Sequence, residues 1–295
     1  MLRIGIVGVD SSHCEAYAGL MNAPGAPFLG RARVTHLWGH DPQQAREKAS
    51  LCEVPEVAVD VEGLVSEVDA VMVCSRWSED RFALARAPLQ RGKPTYVDKS
   101  LGNSIAEARE LAALAAEHHA LLLCCSPLRF APQLQDFRCR LSVLGEIVAG
   151  TVVGPAHWPM ADVRAENPLW YAVHTAEIFH AIAGLGLMEV TVRRDRRATI
   201  GFVRTCHGAS FTVAFLREMS PAIYCVTAVG PKGACWVEVP EDPIIYRRTL
   251  EAILVAAERG MSPVPVEASV EVMEFMDAVF HRARDGEVVS LRGLR

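Results

Sequence analysis

The chain has no apolar segment that approaches the ~18 residues needed to cross a bilayer, so a helical membrane span is not expected. Runs of lysine or arginine are missing as well. The densest basic patch, RRDRR at 193–197, contains an acid, and the net charge is -5, so nucleic acid is not an expected partner. No CxxC and no metal-ligand spacing occur among the nine cysteines. Cys124 and Cys125 lie in an apolar run, as small buried hydrophobes do, and reduced thiols in a cytoplasm are the expectation. MLRIGIVG lacks the long apolar core and cleavage site of a signal peptide. Internal repeats and low-complexity linkers are absent too.

What is present is a well-cored chain: 295 residues, 51% hydrophobic and 22% charged, enough for two ordinary domains. Residues 1–125 alternate short apolar runs with amphipathic ones. Strands are expected at 2–8, 33–39, 68–75, 94–100 and 120–126, with helices between them. Asp41 and Pro42 open one helix as N-cap and first residue, and Ser104 with Glu107 forms a capping box at another. Continuous apolar strands separated by helices imply a Rossmann-like, doubly wound parallel sheet in an α/β fold. From 126 to 295 strands follow one another directly, at 146–154, 187–195, 198–206, 209–218, 223–230 and 233–240, with helices at 170–184, 245–259 and 267–285. An α+β domain with an open, mainly antiparallel sheet is expected there. Its uncovered face suggests a homo-oligomer.

The stretch GIVGVDSSHCEAY, 5–17, sits where a G-x-G-x-x-G phosphate loop would stand, but only Gly8 remains. Asp10 and His13 occupy the other glycine positions. Two readings stand side by side. Ser12 and Glu15 match a capping box, which would satisfy the helix's donors without a ligand. Alternatively Ser11 and Ser12 give hydroxyl hydrogen bonds to a pyrophosphate at the helix N-terminus, and a partly wet site tolerates Asp10 at roughly 1 kcal/mol.

Along its length the sequence resembles the Gfo/Idh/MocA oxidoreductases. The resemblance rests on the variant loop, on VDAVMVCSRWSEDRFALARAPLQRGKPTYVDKSLG, on RFAP at 129–132, on HTAEIFHAIAG at 174–184, and on the closing segment from Glu258 to Leu291. It implies NAD or NADP as cofactor and hydride transfer at a carbon bearing a hydroxyl, often on a sugar, inositol or related polyol. It implies that Lys99 is the proton-transfer group and His174 a substrate contact. The sequence departs from the family at Asp98, where the family has glutamate, and at Ser100, where it has proline. A cis bond before a non-proline residue costs ~2.5–4 kcal/mol, so a differently turned backbone is expected at Lys99. Trp170 replaces an acid four residues before His174, which favours a flatter or less polar substrate.

Each candidate has a plainer role beside the functional one. Lys99 ends a parallel strand, where such sheets place ligands, or is a surface lysine paired with Asp98. Ser75, Arg76 and Trp77 follow the third strand, near the cofactor; Arg76 meets a phosphate or carboxylate, or faces solvent. Asp41 binds a ribose or caps its helix. Tyr171 supplies a hydroxyl or packs. Glu177 is expected to fix the tautomer of His174, and His180 to sit in a core or interface. His174, Glu177 and His180 do not form a recognised metal pattern, and no metal is expected. His157-Trp158-Pro159 adds a ring to the pocket or anchors a loop. Two functions follow. One is an NAD(P)-dependent oxidoreductase acting on a small molecule. The other is a non-catalytic relative that has lost its cofactor and serves as a ligand sensor or scaffold.

Overall fold

The computed structural model describes residues 1–156 and 163–291. His157-Trp158-Pro159 lies outside the described residues. The chain forms two compact units, the first of residues 1–125 and 246–269, the second of 126–245 and 270–295. A single division at 125 leaves out the return of 246–269 to the first unit.

The first unit is a parallel sheet of β1 (Leu2–Val7), β2 (Ala32–Trp38), β3 (Glu56–Val57), β4 (Ala70–Val73), β5 (Thr95–Asp98) and β6 (Leu122–Cys125) in the order β3-β2-β1-β4-β5-β6. Helices α1 (Ser12–Asn22), α2 (Pro42–Leu51), α3 (Val61–Glu67), α4 (Ser78–Gln90) and α5 (Ile105–Glu117) connect the strands. The central strands are mainly apolar because both faces are covered, and β4, β5 and β6 are buried at every residue. The strand order reverses between β1 and β4, which opens a crevice beyond their carboxyl ends. Five strands were expected here. The sixth, β3, has two residues and carries no periodicity to read.

The second unit holds β7 (Ala149–Pro155), β8 (Leu187–Arg194), β9 (Ala198–Thr205), β10 (Ser210–Leu216), β11 (Ile223–Gly230), β12 (Gly233–Pro240) and β13 (Val288–Ser290), ordered β12-β11-β7-β10-β9-β8-β13. All neighbours are antiparallel except β7 and β10, a parallel pair. Helices α6 (Pro132–Leu141) and α7 (Ala172–Ala183) belong to this unit, and α8 (Ile244–Arg259) and α9 (Val266–Asp277) lie between β12 and β13 in the chain. Helix α7 lies against β7 and β10 so closely that a Cβ at Gly154 would stand 2.5 Å from Thr175 Oγ1. On the sheet, Phe202, Val229 and Trp236 remain exposed.

Candidate active site

In the first unit the candidate residues gather beyond β1, β4 and β5. Gly8 ends β1 with φ +89, and a Cβ there would meet the Ser75 backbone nitrogen at 2.4 Å. Glycine therefore lets two strand ends approach each other, so the close approach serves the protein as well as any ligand. Ser11, buried, is the N-cap of α1, yet its hydroxyl donates to the Cys74 carbonyl (2.7 Å) and not to the helix. Helix α1 thus begins with no side-chain cap. The capping box expected from Ser12 and Glu15 does not form: Ser12 lies exposed, and Glu15 instead pairs with Lys48 on α2.

Asp10 turns toward the β4 loop. Its carboxylate accepts from the Arg76 backbone N–H (3.0 Å), while Arg76 Nε donates to the Asp10 carbonyl (2.8 Å). Ser75 gives its hydroxyl to Asp80 (3.0 Å), and Trp77 is buried at the start of α4. Arg81, fully buried, donates to the Ser75 and Arg76 carbonyls (3.1 and 2.7 Å) and thereby holds the β4 loop from below. Asp41 caps α2, accepting from Gln43 N and Gln44 N at 2.8 and 3.4 Å. That fixes the nearest acid after β2 in a structural bond.

Asp98 and Lys99 end β5 and are 2% and 4% exposed. His13, in the first turn of α1, brings Nδ1 to 2.7 Å from Asp98 Oδ2, and the Tyr96 hydroxyl donates to Asp98 Oδ1 at 3.1 Å. Burial pushes the Asp98 carboxyl up. His13, Lys99 and Arg81 more than reverse this and hold it well below the usual carboxylate range. Asp98 is therefore a buried anion. The Lys99–Ser100 peptide is cis although residue 100 is serine, where a different turn was expected. The Ser100 hydroxyl donates to the Gly102 carbonyl at 2.7 Å. Burial also pushes the Cys14 thiol up to about 12 and Cys74 well above its ordinary value, so both behave as small core hydrophobes.

In the second unit, His174 is buried near the start of α7, its Nδ1 2.6 Å from the Ser126 hydroxyl. Glu177 does not orient it. That carboxylate accepts from Arg129 Nε at 2.7 Å, because Arg129 of the RFAP element reaches the other side of α7. Arg129 also stands 3.3 Å from His180 Nδ1, and His180 Nε2 meets Glu271 on α9 at 2.8 Å. Glu177 and His180 thus share Arg129 while His174 turns to Ser126, and the three do not converge as a ligand set. The Tyr171 ring packs edge-on against His174 at 5.3 Å, and its hydroxyl donates to Glu241 Oε1 at 2.6 Å. Tyr224 donates to the same oxygen at 3.2 Å, and burial followed by Glu241 pushes its phenol well up.

Sequence reasoning missed Arg81, Ser126, Glu241 and Glu271. Ser126 had the clearest signal, since it follows β6 directly at the carboxyl edge of the sheet.

Comparison with known proteins places these observations. The Aspergillus oryzae dehydrogenase aclE is 30% identical over 155 residues, 50% of this chain and 42% of that protein. The chain spans less than half the length of the curated relatives it matches. Myo-inositol dehydrogenase from Corynebacterium glutamicum superposes with a TM-score of 0.81 at 15% identity over 99% of both chains. Scyllo-inositol dehydrogenase from Lactobacillus casei does so with a TM-score of 0.81 at 14% identity, over 99% of this chain and 98% of that one. At such identities the likeness is one of fold. Residues 2–124, the stretch that builds the parallel sheet, match the GFO_IDH_MocA model, described as an oxidoreductase family with an NAD-binding Rossmann fold.

Proposed function

We propose that the protein is an NAD- or NADP-dependent oxidoreductase that moves hydride to or from a hydroxyl-bearing carbon of a small polar molecule of the sugar, inositol or polyol class. The observation that carries this reading is the start of α1. It lies beyond the carboxyl end of β1, next to the point where the strand order reverses, and no side chain caps it. The Asp10 carboxylate, the group least compatible with a pyrophosphate, is engaged by the Arg76 N–H. Backbone N–H groups at such a terminus suit an anion, with Ser12 exposed beside them. The bound nicotinamide would supply or accept the hydride. Lys99, beside the Asp98 anion, is the proposed acid–base group for the substrate hydroxyl. Independently, His174 is the proposed substrate contact, with Ser126 and the Tyr171 ring fixing the imidazole's direction. The substrate class draws support from inositol dehydrogenases among the structural relatives.

Titration calorimetry with NAD⁺, NADH, NADP⁺ and NADPH tests the reading. Saturable micromolar binding of one oxidised–reduced pair is expected, and no heat with all four overturns it. A second reading, a cofactor-free ligand-binding relative, is favoured by one observation: the hydroxyls of Ser11 and Ser75 are turned to protein partners. It expects small polyols, but no nucleotide, to raise the melting temperature.

A further inference from the structure

Two departures from the family pattern meet at one place in the first unit, beside the lysine that matches it. His13 stands where the loop's third glycine would be, Asp98 where a longer acid would be, and Lys99 follows it. The imidazole lies against the carboxylate, with Nδ1 2.7 Å from Asp98 Oδ2. Tyr246 and Tyr17 pack edge-on against the His13 ring at 5.0 and 6.3 Å, which fixes its plane. The other Asp98 oxygen receives the Tyr96 hydroxyl. Lys99 acts on the same carboxylate from the next position in the chain.

We propose that His13 and Lys99 share the Asp98 carboxylate, so that His13 is a positioning residue whose bond to Asp98 governs how readily Lys99 releases its proton. The argument is one of charge division. A buried carboxylate bonded to His13 has less of its field available to an adjacent ammonium. With His13 removed, the whole anion stabilises protonated Lys99. Also around the pair, among the described residues, are Arg81 from α4, Tyr17 and Cys14 from α1, Tyr96 from β5, Tyr246 from α8, Cys74 and Cys125 beyond β4 and within β6, and Asp10 of the loop. Burial pushes up the Tyr17 and Tyr96 phenols and the Cys14 and Cys74 thiols, Tyr246 is half-buried, and Asp10 is held by Arg76. The assignment deepens the proposed function, since it gives the loop's substituted residue a role in proton transfer at Lys99.

The chain has four lysines, Lys48, Lys93, Lys99 and Lys232, so ¹³Cε-lysine NMR resolves Lys99 in the full-length protein once Lys99→Arg identifies its signal. His13→Gln should raise the Lys99 midpoint by about one pH unit, a tenfold change in its acid dissociation constant. Asp98→Asn should lower it, and His13→Gln in the Asp98→Asn background should leave it unmoved. An unchanged midpoint in folded His13→Gln overturns the proposal. Should that variant not fold, His13→Asn and Asp98→Asn decide, and an unchanged Lys99 midpoint in either overturns the proposal equally. These readouts need neither cofactor nor substrate. A protein that binds no dinucleotide yet shows the coupling would refute the oxidoreductase reading while leaving the pairing intact.

Discussion

Asp10 and Arg76 join two loops by a reciprocal pair of hydrogen bonds: the Arg76 N–H donates to the Asp10 carboxylate, and the Arg76 guanidinium donates to the Asp10 carbonyl. An acid in a phosphate loop thus serves as a brace between the ends of β1 and β4. Asp10→Asn keeps an acceptor for the Arg76 N–H and removes the charge. We expect dinucleotide affinity to rise about fivefold, corresponding to ~1 kcal/mol of relieved repulsion, with weaker dependence on salt. Calorimetry at two ionic strengths checks both.

The buried Asp98 makes stability depend on acid. Its folded carboxyl titrates below the unfolded one, so its contribution is complete above the ordinary value of about 4 and is lost as pH falls through the folded value. Asp98→Asn should be destabilised by about 3 kcal/mol at pH 7, as expected when one partner of a buried pair is removed. The gap to the native protein should narrow below about pH 4. Urea denaturation at both pH values measures it, and a constant gap would contradict the assignment of the anion.

In the second unit, Arg129 and Glu177 are both buried and bonded at 2.7 Å. Arg129→Met leaves a buried carboxylate and should cost about 3–5 kcal/mol. The double variant Arg129→Met/Glu177→Leu should cost less than the sum of the two single changes. Equilibrium denaturation of the three variants provides the cycle.

Self-association through the open sheet face is a proposal resting on the exposed Phe202, Val229 and Trp236. Phe202→Glu should reduce the molar mass measured by light scattering while the melting temperature of the fold stays within a few degrees. An unchanged mass would move the interface elsewhere.

Much of the fold was legible because its signals are local. Apolar runs gave the long strands, and Asp41-Pro42 gave a helix start that the structure bonds as read. At Ser104 half of the capping box forms, since the Glu107 N–H donates to Ser104 Oγ while the Glu107 carboxylate accepts from the Asn103 N–H. The misreadings share one cause. Ser12 and Glu15 have capping-box spacing, but spacing ranks only neighbours in sequence, and Lys48 on another helix takes Glu15. Likewise Glu177 was assigned to His174 from their shared helix, whereas Arg129 approaches from 48 residues away. The parallel pairing of β7 with β10 has no periodicity of its own, since a half-buried strand alternates identically in either direction. Lys99 could be singled out from its strand end. That His13 would reach the anion beside it could not, because the contact depends on how α1 crosses the sheet.

Residues 246–269 complete the N-terminal layer, where Ile253 and Leu254 face Ile4, Met72, Tyr96 and Leu123, and Ser269 bonds the Cys124 carbonyl at 2.7 Å. A gene fragment ending at codon 125 would therefore encode a sheet with a bare apolar flank. A protein meant to carry this layer alone must join residues 1–125 to 246–269 directly.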